Sequence, residues 1–125
     1  MSASLALTWR RAWNGDEISA LIGNRHLAAA LRLHREVERI GLLRAVRSSV
    51  NEELAESKLG YEYLGLADVV SIIDRAQRIL HEGENMERFI KSLDADYRDM
   101  LKDDRLFANF RICYRMRPNE FSPVL

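Results

Sequence analysis

With 125 residues, 47% of them hydrophobic and 30% charged, the chain has the length of one domain, and burying roughly two thirds of its unfolded surface supplies a core without disulfides or metals. Its nineteen basic and nineteen acidic side chains cancel to a net charge of zero, which removes the pervasive positive field that nucleic-acid readers use. No apolar run approaches the ~20 residues of a membrane span, no basic region leads into an apolar core as in a secretory signal, and the single cysteine, Cys113, excludes an internal disulfide and a multi-cysteine metal site.

In chain order, Leu5, Trp9, Ala12 and Trp13 share one face of a helix over Ser4 to Trp13, which Asn14-Gly15 turns off. Asp16 is placed to cap a short helix from Glu17 to Ile22 that stops at Gly23, with Asn24 capping the next. From Arg25 to Ile40 two apolar lines, Ala30, Leu33, Val37, Ile40 and Leu27, Leu31, His34, define a strong helix. Gly41 interrupts it, and the spacing of Leu42, Leu43, Val46, Val50 and Leu54 fits either a kink or a fresh start. Ser49 followed by Glu52 fits a capping box and predicts a new helix from about Val50 to Leu59, with Gly60 to Gly65 as an aromatic connector. Val69, Ile72, Ile73, Ala76, Ile79 and Leu80 then mark a helix over Leu66 to Gly83, read as the central one. Met86, Phe89, Ile90, Leu93, Tyr97, Met100 and Leu101 predict another over Glu84 to Lys102. Asp103 or Asp104 caps a last helix with Leu106, Phe107, Phe110, Cys113 and Tyr114 inward, Pro118 ends it, and 119–125 reads as an extended tail. With no alternation of strand type, the expectation is an all-α, compact bundle of six or seven helices, the last three antiparallel, forming a single soluble domain over 1–125 in the cytoplasm.

Charge is blocked along this framework. Residues 1–50 hold eight arginines against Asp16, Glu17, Glu36 and Glu38, a balance of +4; residues 51–104 hold fourteen acidic and seven basic side chains, −7; residues 105–125 return to +3. Such blocks pair with one another inside the fold, between copies, or with a charged partner.

Catalytic and metal chemistry finds no motif. The three histidines, His26, His34 and His81, lack the Glu-x-x-His pattern of di-iron bundles. His34 and Glu38 stand four apart as two ligands on one helix would, but a site needs more donors than that pair. No serine sits in a glycine-flanked elbow, Cys113 reads as a small buried hydrophobe, and the glycines are scattered singly, so neither a nucleophile nor a phosphate cradle can be assembled. Leu54-Ala55-Glu56 with Leu59-Gly60 fails as a helix-turn-helix reader, because its glycine comes late and Asp68 opens the helix that would meet DNA.

The sequence therefore points to a non-enzymatic protein-interaction module, a regulator, adaptor or inhibitor, needing no cofactor and no metal and making no membrane contact. Its candidate partner-binding residues are Trp9, Trp13, Arg111, Arg115 and Arg117, since tryptophan and arginine anchor interfaces. The partner is another protein, with a homodimer through Glu84 to Lys102 as one form. The alternative is a nucleic-acid-binding regulator in which the carboxy-terminal arginines pair phosphates and Phe107, Tyr114 and Phe121 stack bases.

Overall fold

The computed structural model describes residues 3–15, 21–83 and 86–121. These form seven α-helices: α1 Ala3–Asn14, α2 Ile22–Ile40, α3 Leu42–Ser48, α4 Asn51–Tyr63, α5 Ala67–Glu82, α6 Glu87–Met100 and α7 Arg105–Met116. A 3-10 turn over Pro118–Glu120 follows, and no strand occurs among the described residues. None of these helices is long and apolar enough to cross a membrane. The all-α bundle expected from periodicity is the fold.

Its hub is α2 rather than the expected α5. The second helix packs on α1, α3, α4 and the 3-10 turn, whereas α5 packs on α3, α4 and α6. Periodicity ranks a stripe by how apolar it is, and a helix becomes a hub by how many sides it presents. On α2 the buried residues Leu27, Ala30, Leu31, Leu33 and Val37 cover the stripe, while Gly23 and Asn24 are buried beside them. The expected stripe on α5 is nevertheless deep: Val69, Ile72, Ile73, Ala76 and Ile79 are all buried.

Two glycines expected to end or link helices lie inside them. Gly23 belongs to α2, which begins at Ile22 after Leu21; the rest of the predicted helix from Glu17 falls on 16–20, outside the described residues. A Cβ at Gly23 would lie 2.5 Å from the Glu120 carbonyl oxygen and 2.9 Å from the Phe121 ring, so glycine here admits the carboxy-terminal segment. Gly60 likewise sits within α4, where a Cβ would come 2.3 Å from the His26 carbonyl oxygen; its missing side chain lets α4 lie against α2. Tyr61 and Tyr63, read as connector, are thus helical.

The break at Gly41 is a fresh start. Its φ of 87° and ψ of 161° end α2, and Asp94 on α6 accepts a hydrogen bond from the Leu42 amide at 2.8 Å, capping α3 from a distant part of the chain. The expected capping box is absent: no side chain caps α4, and the Ser49 hydroxyl donates back to the Ala45 carbonyl at 2.8 Å. Gly83 closes α5 as expected, with φ of 68°, while Gly65, read as the end of the connector, follows the close of α4 with φ of 76°. At the other end Phe121 is buried against Phe110, Tyr114 and Tyr63, so the start of the tail is folded onto the body.

Candidate functional site

The described residues enclose a cleft of about 980 Å³ between α1, the end of α2, α6 and the start of α7. That is the upper part of the range for ligand sites, which span ~300–1,000 Å³. Trp9 and Trp13 form one wall. Being four apart on α1 they stack, with ring centroids 6.2 Å apart and planes 20° apart. Phe107 meets Trp9 edge-on at 4.9 Å, and Trp13 packs against the His34 ring at 5.9 Å. Both tryptophans are half-buried, so each serves the core with one side and lines the cleft with the other.

The floor is polar and fixed. His34 Nε2 lies 2.8 Å from Glu38 Oε1, His34 Nδ1 lies 2.7 Å from the Tyr97 hydroxyl, and that hydroxyl lies 2.7 Å from the Tyr61 hydroxyl. The helical spacing of α2 puts His34 under Glu38; α6 supplies Tyr97 and α4 supplies Tyr61. A neutral imidazole with its proton on Nε2 satisfies the whole chain: Tyr61 donates to Tyr97, Tyr97 to Nδ1, and Nε2–H to the carboxylate. Burial favours that state, holding His34 below its ordinary value, with Glu38 opposing, and pushing Tyr97 and Tyr61 upward so that both remain donors.

Five charged side chains also line the cleft: Arg10, Glu38, Asp94, Arg98 and Asp104. Glu38 is steadied by His34 and Asp94 by the Leu42 amide, each through one oxygen. Arg10, Arg98 and Asp104 form no ion pair among the described residues. The His34 and Glu38 pair weighed as metal ligands is spent on this chain, and no cluster of three or more metal-binding side chains exists among the described residues.

Of the residues singled out from the sequence, Trp9 and Trp13 come together in the cleft and the arginines do not join them. Arg111 and Arg115 are exposed on α7. Arg117 lies over the Tyr63 ring at 4.4 Å, within 3.9 Å of Glu120, as part of the lock on the carboxy-terminal segment. The aromatic residues of that face, Phe107, Phe110, Tyr114 and Phe121, pack on one another or on Trp9. Cys113 is buried, as its apolar neighbours implied. Sequence reasoning missed Tyr97, Tyr61 and Asp94 as site residues. The available signal was a tyrosine within an apolar stripe, whose hydroxyl must find a buried partner.

Comparison with models of known protein families, with curated proteins and with solved structures finds no match for this chain.

Proposed function

We propose that this chain is a small non-enzymatic interaction module, a regulator, adaptor or inhibitor, that receives a segment of a partner protein in the Trp9/Trp13 cleft. The observation that carries the reading is the joining of a stacked tryptophan pair to a rigid polar floor in one cleft. Large aromatic anchors bordered by fixed polar groups are what binding hot spots are made of, and a floor already ordered loses little freedom on binding. A non-enzymatic role is supported by the engagement of both His34 nitrogens, which leaves the histidine no free lone pair with which to take a proton from a ligand.

A photo-crosslinking amino acid at Arg10, used in the native host, tests this. The parent cleft is expected to capture a defined protein partner, and capture should fail with Trp13→Ala and with Trp9→Ala, each verified as folded by circular dichroism. Identical captures from parent and variants overturn the proposal. So does native mass spectrometry that finds a co-purified small molecule in place of a protein.

A further inference from the structure

Building on the interaction reading, we infer that the occupant of the cleft is a basic side chain, an arginine or lysine of the partner segment, seated with its charge between Glu38 and Asp94. Three observations converge on a cation. The lining carries three carboxylates, Glu38, Asp94 and Asp104, against the two arginines Arg10 and Arg98, so its sign is negative while His34 is neutral. Two of those carboxylates are set in place before any ligand arrives. Glu38 is held through Oε1 by the imidazole and Asp94 through Oδ1 by the Leu42 amide, which leaves Oε2 and Oδ2 as acceptors already oriented. Glycine at 41 keeps the ground above Asp94 clear, since a Cβ there would lie 3.0 Å from Oδ2.

The walls favour the same charge. Ring faces carry negative potential and attract a guanidinium or ammonium group while disfavouring an anion. The Trp9–Trp13 stack also offers apolar surface for the aliphatic stem of a long basic side chain. Arg10 and Arg98 oppose a cation and, like Glu38 and Asp104, are exposed, so solvent and salt screen all four over about 8 Å; the cation is favoured because Glu38 and Asp94 are held in place by the fold. A partner segment with an acidic residue next to the basic one would satisfy the two arginines as well. The excess of acid in residues 51–104, fourteen side chains against seven basic, steers such a basic segment toward α6 from a distance.

Selection of a random displayed peptide library against the full chain tests the inference. Peptides that need Trp13 for binding, as shown by loss with Trp13→Ala, are expected to carry arginine or lysine beside an apolar residue. Synthetic copies should alter tryptophan fluorescence and bind more weakly as salt is raised. Glu38→Gln combined with Asp94→Asn keeps both structural acceptors, so the fold should persist by circular dichroism while affinity falls about tenfold or more. Trp13-dependent peptides that are acidic or uncharged, or that bind the double variant as well as the parent, overturn the basic occupant and leave the interaction reading standing. Absence of any Trp13-dependent peptide overturns both.

Discussion

Tyr61 closes the inner end of the hydrogen-bond chain with a hydroxyl that is wholly buried, and this makes the chain directional. A second proton on His34 would turn Nδ1 into a donor, reverse Tyr97, and leave the Tyr61 hydroxyl hydrogen without an acceptor among the described residues, a defect of roughly 1–3 kcal/mol. Burial acts in the same sense, and His34 lies below the ordinary 6.5. The unfolded chain thus takes up this proton near 6.5 and the folded chain only at lower pH, so over that interval the unfolded state binds more protons and stability falls as pH falls. His26, lowered by burial and by Arg25, adds to the same trend. Denaturant midpoints are expected to be lower at about pH 5.5 than at about pH 7.5. Glu38 is the group that resists the shift, so Glu38→Gln should move the His34 titration further down in ring-proton NMR; an upward move would show that the chain does not run as described. Tyr61→Phe removes a buried hydrogen bond and should cost about 1 kcal/mol.

At the scale of elements, the glycines show what a one-dimensional reading can and cannot reach. Gly83 was legible because a helix end is a local event, set by the backbone conformation of one residue. Gly23 and Gly60 look the same in sequence, yet their reason is a neighbouring backbone brought close by the fold. Their substitutions should separate accordingly. Gly83→Ala meets open space and strains only its own φ of 68°, a loss of roughly 1–2 kcal/mol. Gly41→Ala adds a conformation open mainly to glycine, about 1–3 kcal/mol, and crowds Asp94. Gly60→Ala must push α4 off α2 against the rigid His26 carbonyl and should be the most destabilising of the three in thermal melts. Ile73→Asp places a carboxylate where exposure is 0%, and should cost roughly 3 kcal/mol or more. The helices and their buried faces were readable from apolar spacing. Half of the site was readable too, since the Trp9 and Trp13 pair lies within one helix. The rest was not, because Tyr97 and Asp94 reach the cleft from α6, and Tyr61 backs Tyr97 from α4, through tertiary packing that no local pattern encodes.

Across the whole molecule, segregated charge and the α6 stripe bear on self-association, and the fold separates their contributions. Leu93 and Tyr97 are buried, and Met86, Phe89, Ile90 and Met100 pack against the same core while staying partly exposed, so much of the apolar stripe read as a dimer seam serves the chain's own core. The exposed apolar side chains lie elsewhere, Ile112 and Met116 on α7 among them, at 54% and 74% exposure. A dimer that uses the α6 face is therefore expected to draw mainly on charge, the acidic middle of one copy meeting the basic amino-terminal part of another. Exposed pairs of this kind contribute little each, about 0–1 kcal/mol, and salt screens them. The expected behaviour is weak association at low salt that reverts to monomer near physiological ionic strength, read by sedimentation velocity over a range of concentrations. Charge reversal by Arg10→Glu should abolish it, since that arginine stands on α1 in the basic part of the chain. A dimer that persists in high salt would instead mean burial of apolar surface, and Ile112→Ser with Met116→Ser would then be the pair that dissolves it, moving the contact from α6 to α7.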